Sequence, residues 1–134
     1  MRAGTDLGPR VIESVSGAAM HDVAAVLDDP NPIHLSGAAA AAAGLGDRPV
    51  NQGPVNIGYI LDMLRATAPG AVVRDIRVRL LANVFAGDRA IAAGRVESVD
   101  AGRDGVLVRC QVWLDIVGSG RAVEGSALLE LEGA

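Results

Sequence analysis

From Gly70 onward the chain alternates apolar and polar side chains in long runs, a period of two that dictates strands with one buried face. In "RDIRVRLLANV", Ile76, Val78 and Leu80 alternate with Arg77 and Arg79. The stretches "DRAIAAGRVESV", "GVLVRCQVWLDIV" and "RAVEGSALLELE" continue the pattern. Between them "DAGRDG" and "GSG" are hairpin connections, so the strands run antiparallel.

Before Gly70 the pattern is helical. In "GPVNIGYILDMLRATAPG", Pro54 suits the first helical position, and Ile57, Ile60, Leu61, Leu64 and Ala68 form one apolar face. Pro69 and Gly70 end this helix. Further upstream, "SGAAAAAAG" predicts a short helix capped by Ser36 and stopped by Gly44. Ala18 to Leu27 predicts another, with Ala19, Val23, Val26 and Leu27 on its apolar side. Pro30 and Pro32 forbid its continuation. "RVIESVS", Arg10 to Ser16, reads as a short strand. The order is strand, helix, proline-rich turn, long central helix and about four antiparallel strands. That order predicts an α+β chain with one domain over residues 1–134, its antiparallel β-sheet wrapped around a long central helix, the hotdog arrangement.

Only three rings, Tyr59, Phe85 and Trp113, are available to fill the core. A core of Val, Ile, Leu and Ala is thin at this size, so burial through association would help it. A net charge of −4 argues against nucleic acid as a partner. All twelve basic residues are arginine, and Arg74, Arg77 and Arg79 form one small basic stripe. That stripe is either a solvated strand face or a contact for the phosphates of a ligand. Cys110, the sole cysteine, excludes an intramolecular disulfide and a multi-cysteine metal site, and its strand pattern predicts a buried structural thiol. No apolar run reaches the roughly 20 residues of a membrane span. The start "MRAGTDLGPR" lacks the apolar stretch of a signal peptide, and the expected location is cytoplasmic.

One stretch exceeds what folding needs. "DDPNPIHLSG", Asp28 to Gly37, places two acids, two prolines, an asparagine and a histidine directly after a helix. The prolines stiffen the turn and Asn31 suits bonding to its own backbone. Asp29 and His34 either converge on one water, to activate it and move protons near neutral pH, or simply end a helix with a satisfied surface histidine. His21 lies off the apolar face of its helix and reads as solvated. With two histidines and no convergent cysteines, no metal site is expected.

"DPNPIH", Asp29 to His34, resembles the D-x-N-P-[IL]-H signature of the MaoC-like (R)-specific enoyl-CoA hydratases and dehydratases. The resemblance extends through the small-residue stretch ending at Gly44 and "RPVNQGPVNIGY" at the start of the central helix. It continues in "AGDRAIAAGRVESVD", taken as a strand pair turning at Gly87-Asp88, and in "EGSALLEL". It implies a hydro-lyase that adds or removes water across the 2,3-double bond of an enoyl thioester of CoA or acyl carrier protein. No cofactor is implied. Asp29 and His34 correspond to the catalytic pair: the carboxylate takes a proton from water, while the imidazole orients that water and relays a proton to C2. Asn31 sets the turn and faces the site. Gly53 corresponds to the glycine whose N–H binds the thioester carbonyl, a role that suits a helix N-terminus. A homodimer of two equivalent sites is implied as well.

One departure stands out. Where the family commonly has His-Gly, this chain has Gln52-Gly53, and Gln can hydrogen-bond but cannot carry a proton. Asn51, Gln52 and Asn56 either cap the helix and fill a polar loop or contact an oxygen-rich substrate. Arg77 and Arg79 are the candidates for the carrier phosphates. The other readings are a hotdog acyl thioesterase and a non-catalytic acyl-binding subunit of a heterodimer, against both of which the retained Asp29 and His34 weigh.

Overall fold

The alternation after Gly70 resolves into four strands: β2 (Val72–Leu80), β3 (Ala90–Ala101), β4 (Gly105–Ile116) and β5 (Gly120–Glu132). A computed structural model describes residues 1–133. With β1 (Asp6–Ile12) these strands make one antiparallel sheet in the order β1-β3-β4-β5-β2. Three helices, α1 (Gly17–Leu27), α2 (Gly37–Ala42) and α3 (Gly53–Thr67), lie between β1 and β2 in the chain.

Helix α3 packs against β1, β3 and β4, so the sheet wraps it as the hotdog arrangement requires. It buries Ile60, Met63 and Leu64, with Ala68 just beyond its end. The sheet opposes them with Val96, Val108, Cys110, Val112, Leu114 and Leu129. The inner face of β3 begins Ala90, Ala92, Gly94, and these small side chains let a helix lie close in a core almost without rings. The buried face of α3 is rotated from the expected one. Met63 is fully buried while Ile57 and Leu61 are only partly so, because the sheet curves around one side of the helix.

Four other local expectations shift. The first strand is Asp6–Ile12, earlier than Arg10–Ser16, because the Ser16 hydroxyl accepts from the Ala19 N–H at 3.0 Å and caps α1 instead. Helix α1 buries only Met20, and Val26 is 84% exposed although it belongs to the apolar side read from the sequence. Residues 84–88 form no strand of their own. Phe85 makes a single bridge with Val50, and Asp88 accepts the Phe85 N–H at 2.8 Å to close a turn. The basic stripe is broken by a register shift between Val73 and Asp75, which leaves Arg74 as the extra residue.

Candidate active site

Helix α1 ends at Asp28, whose left-handed backbone (φ 50°) turns the chain sharply. The Asp29 N–H then donates to the Ala24 carbonyl at 2.9 Å, holding Asp29 against the last turn of the helix. Its two carboxylate oxygens have separate tasks. Oδ1 accepts the Asn31 N–H at 3.1 Å, and Oδ2 faces His34 Nε2 at 3.3 Å. Asn31 in turn accepts the Ile33 N–H at 3.3 Å and caps a single 3₁₀ turn, Pro32–His34, that delivers the imidazole. Two acidic or amide side chains bonded to the backbone two residues on, with prolines between, make a stiff loop.

The His34 ring is buried, and its Nδ1 lies 2.7 Å from the Val50 carbonyl. A carbonyl only accepts, so Nδ1 carries the proton and donates it. In the neutral ring Nε2 is therefore a lone pair aimed at the Asp29 carboxylate. Nε2 and Oδ2 both accept, and one water can donate a hydrogen to each. The Asp29 side chain keeps 34% of its surface exposed, so the pair is open to solvent from that side.

The segment that orients His34 also begins α3. Val50 N–H donates to the Ile33 carbonyl at 2.8 Å and Asn51 N–H to the Val84 carbonyl at 2.7 Å. Gln52 follows at the N-cap of α3, then Gly53 and Pro54 in the first turn. The early N–H groups of a helix lack intrahelical partners and carry its positive end, so Gly53 offers a donor suited to an oxygen that gains negative charge. A Cβ on Gly53 would meet Leu80 Cδ1 at 2.9 Å.

The three amides are buried. Asn51 Nδ2 donates to Asn56 Oδ1 at 2.8 Å and to the Tyr59 hydroxyl oxygen at 3.3 Å. Gln52 makes no side-chain cap; its Nε2 donates to the Met20 carbonyl of α1 at 2.9 Å. The sequence reading took Tyr59 only as a core ring, although its spacing of three from Asn56 sets both on one face of α3. Burial pushes its phenol up, offset in part by the bond from Asn51, so the hydroxyl keeps its proton near neutral pH. The backbone carbonyls of Val50 and Met20, which orient His34 and Gln52, leave no mark in a sequence.

The arginines lie elsewhere. Arg77 Nε bonds Asp75 at 2.9 Å, and Arg74 is paired with Glu130. Arg79 has no ion-pair partner among the described residues. It alternates with Val78, which packs on the core, and so sits on the face turned away from α3. There it lines a groove of about 350 Å³ with Trp113, Arg121 and Glu124. His21 is exposed on α1, and no helix is long and apolar enough to cross a membrane.

The family model described as the MaoC like domain matches residues 3–114. The R-hydratase PhaJ1 from Pseudomonas aeruginosa, in its unliganded form, superimposes with a TM-score of 0.86 at 20% identity, over 100% of this chain and 84% of that one. The (R)-hydratase of A. caviae involved in PHA biosynthesis gives 0.86 at 22%, over 98% and 97%. The C-terminally truncated HadBC (3R-hydroxyacyl-ACP dehydratase) complex of Mycobacterium tuberculosis gives 0.74 at 23%, over 96% of each chain. At these identities the likeness establishes the fold. No curated protein matches the sequence.

Proposed function

Because this chain belongs to the MaoC-like dehydratase family, we propose that it is a hydro-lyase acting reversibly on the 2,3-double bond of an enoyl thioester. The observation that carries this reading is the Asp29–His34 contact, with Nδ1 committed to the Val50 carbonyl and Nε2 left to share a water with Oδ2.

In the hydration direction the water oxygen bonds to C3 as one of its hydrogens passes to the Asp29–His34 pair. The double-bond electrons move toward the thioester, and the carbonyl oxygen gains negative charge against the Gly53 N–H. The electrons then return to C2, where the pair delivers a proton, restoring the carbonyl and the resting pair. Dehydration runs the same steps backward. Acid–base catalysis by such a pair contributes typically about 10²–10⁴-fold, and the helix N-terminus supplies much of the rest. Nothing in this sequence of steps requires a cofactor.

CoA or acyl carrier protein would present the acyl group. Arg79, which has no ion-pair partner among the described residues, is the better candidate for the carrier phosphate, since Arg77 is engaged by Asp75. On this reading Arg79→Ala raises KM for a CoA thioester more than for a short N-acetylcysteamine thioester and leaves kcat nearly alone. Equal effects on both would remove the phosphate role.

The activity is tested with a panel of enoyl and 3-hydroxyacyl thioesters, followed by gain or loss of the mass of one water. Release of free thiol without that change would indicate a thioesterase. Activity that appears only with a co-purifying second chain would indicate a heterodimer subunit, the kind of assembly that the HadBC complex represents.

A further inference from the structure

The indole of Trp113, the only one in the chain, takes no part in the core. Its neighbours on β4, Val112 and Leu114, are buried, so alternation turns Trp113 to the outer face of the sheet, away from α3. There it is half-buried, with a flat apolar surface that the core does not use. The register fixes what stands beside it. Glu124 of β5 is opposite Trp113 on one side and opposite Arg79 of β2 on the other. Three strands thus set a cation, a carboxylate and a ring in one row, with the Arg79 and Trp113 backbones roughly 10 Å apart.

The groove of about 350 Å³ between them also takes in Gln111 and Arg121. The Arg121 guanidinium carbon lies over the indole, 4.9 Å from the ring centre. Its Nε bonds Asp115 at 3.0 Å, which holds the stack in place. Glu124 stands 3.9 Å from Arg121 Nη1, longer than a hydrogen bond, so its oxygens remain open as acceptors. Gln111 is exposed and offers both a donor and an acceptor. Arg79 has no ion-pair partner among the described residues.

Each group selects a feature of a ligand. The planar fork of Arg79 suits one anionic group, phosphate above all. Glu124 repels a second anion close by and favours an N–H or O–H instead. The Trp113–Arg121 stack favours another flat ring, because a guanidinium plane stacks on rings. A bare phosphate would use Arg79 alone, and an acyl chain would leave every polar group without a partner. A nucleoside phosphate supplies an anion, hydroxyl and amino donors, and a base, and the groove falls within the roughly 300–1,000 Å³ range of small-molecule sites.

We infer that this outer-face groove is a nucleoside phosphate site, separate from the acid–base pair. Arg79 holds the phosphate, Glu124 and Gln111 accept from the sugar hydroxyls or the amino group, and the base lies on the Trp113–Arg121 stack. The nucleotide has two possible sources, a free nucleotide or the nucleotide end of a CoA thioester. The second is within reach because Leu80, the residue after Arg79, lies against Gly53 at the start of α3.

Trp113 is the only tryptophan, so its fluorescence reports the groove directly and needs no turnover. AMP should change that fluorescence saturably and bind about tenfold more tightly than phosphopantetheine, which has a phosphate but no base. Arg79→Ala should weaken AMP binding about tenfold. Arg65→Ala, which removes an exposed arginine of α3, should leave it unchanged. Absence of a saturable response to AMP, equal affinity for the two phosphates, or the same affinity for AMP in both variants would overturn the proposal. Kinetics then separate the sources. AMP that competes with a CoA thioester but not with an N-acetylcysteamine thioester supports the site as the seat of the CoA nucleotide. AMP that binds without raising either KM supports it as a site for a free nucleotide. AMP that raises both KM values equally binds at the acid–base pair and overturns the groove. The fluorescence arms stand even if no thioester in the panel is turned over.

Discussion

At the scale of single residues, the site depends on how two side chains divide their hydrogen bonds. Asp29 commits one oxygen to the turn and the other to His34, and His34 commits one nitrogen to Val50 and the other to Asp29. Asp29→Asn retains an oxygen for the Asn31 N–H but cannot take a proton, so activity should fall about 10²–10⁴-fold with the melting temperature little changed. His34→Ala should lose activity similarly and also some stability, because the buried Val50 carbonyl loses its donor. Turnover and thermal melts of both variants check this; wild-type turnover in both would reject the assignment. Cys110, by contrast, matters only for stability. Burial pushes its thiol up to about 11 from 9.0, with backbone hydrogen bonding at Ala127 opposing the shift and Glu97 adding to it. A folded thiol that keeps its proton while the unfolded chain loses it gives stability that is full below pH 9.0 and lost as pH rises through about 11. Urea midpoints should therefore drop less steeply across that window in Cys110→Ala than in the wild type.

Between elements, two glycines with different neighbours separate packing from chemistry. Gly125 on β5 lies opposite Val78 of β2, and an added Cβ would run into the Arg77 carbonyl and the Val78 Cα. Backbone cannot step aside, so Gly125→Ala should force β2 from β5 and cost roughly 1–3 kcal/mol. Gly53 at the start of α3 meets only the tip of Leu80, a side chain 55% exposed and free to turn away. If its N–H holds the thioester carbonyl as proposed, Gly53→Ala should thus change stability little and activity much, because the methyl group crowds that N–H. Melting temperatures and initial rates for the pair decide it, and the opposite ranking would mean that Gly53 is a packing residue.

For the whole molecule, the two edges of the sheet are unlike. β1 carries Pro9, which has no N–H, and slips register between Leu7 and Arg10, so it is a poor template for another strand. β2 is regular from Asp75 to Leu80, and Val72, Leu80 and Leu81 are each about half exposed around it. A thin core and an apolar open edge together favour pairing of two copies through β2 into a continuous sheet. Light scattering on the purified chain should give twice the 13.6 kDa chain mass at micromolar concentration. The mass of one chain would reject the homodimer.

The sequence by itself determined the period-two strands after Gly70, the helix from Gly53, the cap at Ser36, and the proline-stiffened turn from Asp29 to His34. Each of these rests on near neighbours, through backbone restriction or through spacing along a single element. Tertiary structure alone decided which residues of α1 and α3 are buried, why Val26 is left in solvent, and where the edges of the sheet fall. It also decided that Asn51 joins Asn56 and Tyr59, and that Gln52 reaches across to Met20 with one oxygen left unpaired. These outcomes depend on which group of a distant segment stands opposite, often a backbone carbonyl that every residue possesses. Local pattern carries no record of such a partner, so the turn that brings Asp29 to His34 was legible and the bonds that support it were not.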